Sequence, residues 1–321
     1  MRRETFGLSC QRSLSFFILG FFLLWMAAPS FAQSRPKLKI ITTLFPLQEF
    51  AKAIGGEWVQ ADLLLPPGAD PHNWEPKPSD VAKINRADIF IYCGRDMEPW
   101  VTDLLQATQS NNLRVLEVSR GMTLMEAKDH SHGTKPASSH GHGKKFDPHV
   151  WLDFSLAMNI VDRIASVISG KDPENTARYR ASAEDYKAKL DILDQKYRAS
   201  LSKCRHRQII LGGHSAFAYL AQRYGLKQIA LYGVSPNAEP TPKKLAAVIQ
   251  AVRNQGVRFI YFERLVNPKL AQVLAKEAGI STLALSDGAN LTKAQLKNKT
   301  TFLDLMETNL ENLRRGLECE R

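Results

Sequence analysis

Cysteine is scarce in this chain of 321 residues: Cys10, Cys93, Cys204 and Cys319 are too few to build a disulfide-held miniature fold, and they lack zinc-finger spacing. Gly and Pro, at 19 and 16, are too few for a collagen-like repeat, and 44% hydrophobic against 23% charged residues excludes a mainly disordered chain. No apolar run reaches the ~20 residues a helix needs to cross a ~30 Å hydrocarbon core; the stretch Leu14 to Ala28 stops at about fifteen. The H-E-x-x-H helix of metalloproteases and the G-x-S-x-G elbow of serine hydrolases are absent too. Acidic residues are outnumbered, giving a formal net charge of +11. The basic residues are nevertheless spread out, clustering only at Lys144-Lys145, Lys203 to Arg207 and Arg314-Arg315, with no aromatic-basic motif, so no nucleic-acid partner is expected.

What is present begins with an export signal. Arg2, Arg3 and Arg12 precede the apolar run, and Ser30-Phe31-Ala32 puts small residues at the −3 and −1 positions of a cleavage site, so residues 1–32 read as a signal peptide cut after Ala32. Position 33 is not Cys, so the expected product is an exported, unlipidated, monomeric chain in the periplasm. Cys10 leaves with the signal. Cys93 ends the apolar run from Asp88 and reads as a small buried hydrophobe. Cys204 and Cys319 bracket the second half, and because domain ends often lie close together they are the candidate disulfide, closing a loop of ~100 residues.

Eight short β-branched or aliphatic runs alternate with helix-length segments: Lys37 to Phe45, Trp58 to Leu65, Asp88 to Cys93, Leu113 to Val118, Gln208 to Gly212, Gln228 to Tyr232, Arg258 to Phe262 and Ser281 to Leu285. This is the pattern of parallel sheets. The expected fold class is α/β: two four-stranded parallel-sheet lobes, 33–172 and 204–321, joined by one long rigid helix, 173–203, with a metal site in the cleft between lobes. The helix is announced by Asp172 as N-cap and Pro173 at its first position. Tyr179, Ala183, Tyr186, Leu190, Leu193, Tyr197 and Leu201 then form one apolar stripe along a rod of ~45 Å. Within the first lobe, 126–145 is a His-rich loop carrying His130, His132, His140 and His142, with almost nothing to bury; it is a candidate accessory metal segment.

Outside that loop four histidines remain, His72, His149, His206 and His214. Two sit in a repeated phrase, Asp70-Pro-His-Asn-Trp74 and Asp147-Pro-His-Val-Trp151. Each Pro fixes its own φ and holds the Asp before it extended, so the imidazole is presented from a stiff loop. His72, His214 and Asp287 follow strands, where open α/β sheets bind ligands. Three neutral imidazoles and one carboxylate, His72, His149, His214 and Asp287, make a tetrahedral site for a divalent ion such as Zn²⁺. His206, inside a basic run, reads as surface. A zinc-dependent hydrolase uses similar ligands, but it needs an open coordination position and a base, and four protein ligands leave no opening.

On Leu65-Pro-Pro-Gly-Ala-Asp-Pro-His72, Asp147-Pro-His-Val-Trp-Leu-Asp153, Gly213-His-Ser-Ala-Phe-Ala-Tyr-Leu-Ala-Gln-Arg-Tyr-Gly225, Glu239-Pro and Phe262-Glu263, the chain resembles the metal-binding components of zinc and manganese ABC importers, solute-binding protein family 9, the ZnuA-like and TroA-like proteins. The resemblance implies His72, His149 and His214 as imidazole ligands, Asp287 as the carboxylate, and delivery of the ion to an inner-membrane ABC permease rather than catalysis. Manganese-selective relatives carry a carboxylate where this chain has His214, so three imidazoles favour zinc, with manganese as the alternative cargo. This chain reads His-Ser-Ala-Phe where many relatives read His-Asp-Ala-Phe, and Glu263 is a candidate for the layer of groups behind the ligands. An adhesin on the cell surface is compatible with the same fold, but the unlipidated leader points to a soluble protein.

Overall fold

Each of the eight runs forms a strand. They are β1 (Leu38–Thr42), β2 (Val59–Leu63), β3 (Ile89–Tyr92) and β4 (Arg114–Glu117), then β5 (Gln208–Leu211), β6 (Lys227–Ala230), β7 (Phe259–Glu263) and β8 (Ser281–Leu285). The computed structural model describes Met1 and residues 37–127, 145–234, 241–263, 265 and 268–320. The expected signal peptide 1–32 beyond Met1, the four histidines His130, His132, His140 and His142, and Glu239 lie outside the described residues.

All pairings are parallel, and both sheets repeat one order, β2-β1-β3-β4 and β6-β5-β7-β8. In each half the chain turns back over its first strand, so β1 and β3, and again β5 and β7, are neighbours whose connections leave in opposite directions. Crevices open at the carboxyl ends of such strand pairs. The helices are α1 (Phe45–Gly55), α2 (Pro78–Ile84), α3 (Val101–Gln106), α4 (Phe154–Lys171), α5 (Thr176–Leu201), α6 (Ala218–Arg223), α7 (Pro242–Gln255), α8 (Lys269–Ala278), α9 (Lys293–Lys297) and α10 (Phe302–Gly316). Asp153 starts α4 by accepting the Ser155 and Leu156 N–H groups, and Phe154, Ala157, Ile160, Val161, Ile164, Ala165 and Ile168 fall on one buried face at three- and four-residue spacing. Thr301 and Asp304 cap α10 reciprocally.

A continuous apolar core passes from β1 and β3 through α1, α4 and α5 to β5, α6 and α10, with Phe50, Trp151, Phe154, Tyr197, Phe217 and Phe302 among its largest members. The outer sheet faces bury separate clusters, Ile41 and Phe90 against Val101 and Leu104 in one half, Ile210 and Ile260 against Val248 and Leu274 in the other. Lys37–Arg321 accordingly packs as one compact unit.

All seven residues of the predicted stripe are buried along α5. Its start differs from the expected Pro173: residues Pro173–Asn175 make a separate 3₁₀ turn, and α5 begins at Thr176. The Asp172 carboxylate causes this by accepting both Asn175 Nδ2 and Tyr179 Oη, which tightens the chain before the helix proper. The rod is therefore about 39 Å long, from 26 residues. It is fastened to both halves. Tyr186 donates to Glu49 of α1 (2.7 Å), whose other oxygen accepts the Phe302 N–H of α10 (2.6 Å), and Tyr197 donates to the Met306 carbonyl (2.6 Å). Buried Asp194 accepts from Arg223, Arg198 and Tyr224, and Arg223 reaches on to Asp153.

Just past the ends of α5 and α10, Cys204 and Cys319 are bonded across a separation of 115 residues. Cys93 is a buried free thiol that donates to the Pro148 carbonyl (3.3 Å). His206 is not at the surface as its basic neighbours suggested. It is 9% exposed because residues 204–206 pair with the segment after α10, which sets its Nε2 3.7 Å from Glu318. No described helix is long and apolar enough to cross a membrane.

Candidate metal centre

The two Asp-Pro-His phrases converge. In each, the Asp side chain turns back onto its own loop: Asp70 accepts the His72 N–H and Asp147 the His149 N–H, both at 2.9 Å. The proline between them removes one donor and fixes φ, so the imidazole leaves a closed turn. From the second half, His214 follows Gly212 and Gly213 at the carboxyl end of β5, beside Glu263, the last residue of β7.

The Nε2 atoms of His72 and His149 lie 3.4 Å apart, and those of His149 and His214 3.3 Å apart. A tetrahedral ion with bonds of about 2.0–2.1 Å sets its nitrogens about 3.3–3.4 Å from one another. Donor nitrogens of the three rings form one metal-sized triple. Asp287 joins a second triple, with His214 and Glu263, whose atoms are within 4.8 Å of each other. Of the four sequence-predicted ligands, three imidazoles thus stand together, and Asp287 stands on the His214 side rather than equally near all three. His149 and His214 are buried at 0% and 2% exposure, while His72 is only partly buried and marks the open side.

Two carboxylates stand behind the rings. Asp147 Oδ1 is 2.8 Å from His149 Nδ1, and Glu263 Oε2 is 2.6 Å from His214 Nδ1. With its Nδ1 hydrogen on Asp147, His149 keeps an Nε2 lone pair for the common point, and His214 offers the same lone pair once its ring has given up the proton that Glu263 favours. Burial, then the two neighbouring imidazoles, lower His72 to about 2, so this ring is neutral. For His214, burial acts downward, but the Glu263 carboxylate outweighs it and raises the ring to about 9. Burial, followed by the nearby Glu263 charge, raises Asp287. Glu263 was legible as a candidate from Phe262-Glu263; the part of Asp147 was missed, although an Asp two residues before a His is the signal of a side chain folding back on its own turn.

Seam contacts lock the halves beside these rings. Trp151 Nε1 donates to the Asp287 carbonyl (2.7 Å), Phe45 N–H to Ala289 (2.8 Å), Gly68 N–H to Leu291 (2.8 Å), and Asn290 Nδ2 to both Pro66 and Ala69 (2.9 Å each).

Two parallel α/β units fused by a rigid helix, with a nest of imidazoles in the crevice between them, define a solute-binding protein that accepts a metal ion. The chain belongs to the family described as zinc-uptake complex component A, periplasmic (ZnuA), which matches residues 40–316; it is a family of metal-binding transport components, not of enzymes. The chain is 36% identical over 287 residues to the zinc-binding protein AdcA of Streptococcus pyogenes, covering 87% of this chain and 56% of AdcA. It thus spans little more than half the length of that relative. It is 36% identical to the high-affinity zinc uptake system protein ZnuA of Bacillus subtilis, covering 88% of both chains. The crystal structure of the Zn(II)-bound ZnuA-like domain of Streptococcus pneumoniae AdcA superposes with a TM-score of 0.74 at 34% identity, covering 88% of this chain and all of that one.

Proposed function

We propose that this chain is the high-affinity zinc receptor of an ABC importer: it captures Zn²⁺ with His72, His149 and His214, closed by Asp287, and hands the ion to an inner-membrane permease. The single observation that carries the reading is the pair of 3.3–3.4 Å spacings between Nε2 atoms, which suit a small tetrahedral ion. Neutral nitrogen donors favour zinc over manganese, which prefers oxygen. The relatives named for zinc binding and zinc uptake point the same way. The chain acts in the periplasm as a monomer after cleavage at Ala32, with lobes at 33–172 and 204–321 around the linking helix 173–203.

The test is calorimetric competition on chelator-stripped protein, Zn²⁺ against Mn²⁺, in wild type and His214→Ala. One tight zinc site, weak manganese binding, and a loss of zinc affinity on the order of a hundredfold or more in the variant are expected. A preference for manganese, or indifference to His214→Ala, would overturn the cargo or the ligand set.

A further inference from the structure

We infer that Glu263 is the positioning residue of the second half: its Oε1 accepts the His214 backbone N–H, its Oε2 stands against Nδ1 of the same ring, and Gly213 is the cut-out that lets it reach. This deepens the zinc reading and rests on it for its consequence, though the orienting contact itself is present without an ion. Both carboxylate oxygens face His214. Oε1 accepts the backbone N–H of His214 at 3.1 Å, and Oε2 stands 2.6 Å from Nδ1 of the same residue. One side chain thereby fixes both the backbone and the ring, removing the freedom of the imidazole to turn and directing Nε2 toward His149, 3.3 Å away.

Both residues come from the neighbouring ends of β5 and β7, joined by the Leu211–Tyr261 pairing and by the Gly212 N–H to Tyr261 carbonyl bond (2.8 Å). Space for the carboxylate comes from Gly213, where a Cβ would lie 2.5 Å from Glu263 Oε1, closer than real Cβ atoms stand. His149 obtains the same double grip locally, since Asp147 Oδ1 serves both its N–H and its Nδ1 at 2.9 and 2.8 Å. The second half has no Asp two residues before His214, where Gly212 stands, and it draws its carboxylate from 49 residues further on.

An amide cannot replace this group. Glu263→Gln has one acceptor for two donors: it must turn its NH₂ either to the His214 N–H or to Nδ1. The second choice drives the ring hydrogen to Nε2, the atom meant for the ion. Three variants test the inference: Glu263→Gln, Gly213→Ala, and Gly213→Ala with Glu263→Asp. Each is read by zinc competition titration, by melting of the metal-free protein, and by the downfield Nδ1 proton resonance of His214 in metal-free protein. Expected for Glu263→Gln are loss of that resonance, a 10–100-fold fall in zinc affinity and a nearly unchanged metal-free melting temperature. Gly213→Ala is expected to weaken zinc in the same direction, and the shorter Asp carboxylate to restore part of the loss, so that the two changes are not additive.

Full retention of the resonance and of zinc affinity in Glu263→Gln would overturn the inference, as would a fall in affinity that only tracks a fall in melting temperature. Loss of the resonance in a protein whose wild type binds no zinc would leave the positioning role standing and remove the zinc reading instead.

Discussion

Burial alone would lower the His214 ring, but Glu263 raises it to about 9, so an ion that takes Nε2 at neutral pH must first displace a proton. Nothing comparable holds for His72, which burial and the neighbouring rings keep near 2. Calorimetry in buffers of different ionisation enthalpy is expected to find close to one proton released per zinc at pH 7, with affinity rising about tenfold per pH unit from pH 6 to 8 and levelling above about 9. An ordinary imidazole, near ~6.5, would put this dependence lower; the carboxylate behind the ring moves it upward. An affinity flat from pH 6 to 8 would falsify the assignment of His214 as a ligand. The sign for the metal-free protein follows from the same shifts. His214, raised when folded, stabilises fully below its unfolded value of 6.5, and that contribution is lost as pH rises through about 9. His72, lowered when folded, removes stability as pH falls from 6.5 toward about 2. Melting of stripped protein across pH is therefore expected to peak between these windows.

Among elements, the carboxyl ends of the central strands carry matched groups. Where β7 ends in Glu263, the turn after β3 carries Glu98, fully buried, accepting from Thr43 Oγ1 (2.5 Å), Cys93 N–H (3.1 Å) and Gly94 N–H (2.9 Å). Burial, only partly offset by these donors, raises Glu98 to about 7. It binds its proton more tightly folded than unfolded, so its contribution is fully present below 4.5 and is lost as pH rises through about 7. Glu98→Gln should flatten the stability curve between pH 5 and 7, as read by chemical denaturation. On α5, Asp194→Ala leaves the Arg223 guanidinium, at 11% exposure, with Asp153 as its remaining ion-pair partner. A loss of about 3 kcal/mol in denaturant unfolding is expected, and a loss below about 1 kcal/mol would mean the buried network is not a fastening of the helix. All eight strands and the stripe of α5 were legible because short β-branched runs and a 3.6-residue apolar period are local properties of the chain. The offset start at Thr176 was not, since it depends on Asp172 Oδ2 accepting from both Asn175 and Tyr179. Nor was the burial of His206, which Glu318 imposes from 112 residues away.

For the whole molecule, the shared core and the seam at 287–291 predict that the halves unfold together. Calorimetric melting of metal-free protein is expected to give one transition, and two resolved transitions would contradict a common core. Zinc at 100 times its dissociation constant should add about 2.7 kcal/mol. Cys204→Ser with Cys319→Ser, freeing a loop closed across 115 residues, should cost at most about 4–5 kcal/mol, measured against reduced and oxidised wild type by denaturant melting. The repeated Asp-Pro-His phrase made two of the converging imidazoles readable in sequence. The crevice itself was not, because His214 and Glu263 meet only through the register of β5 and β7.

The converging residues are spread along the chain with unusual evenness: 77 residues separate His72 from His149 and 65 separate His149 from His214, with a similar interval to Asp287. In polymer terms, an ion seated among them would tie points that divide the chain into long, comparable loops. Closing each loop in an unfolded coil carries an entropy that grows only logarithmically with length, but all must close at once. No fragment missing one loop could gather the full set of donors, so capture of the ion reports that the last strand has arrived as well as the first.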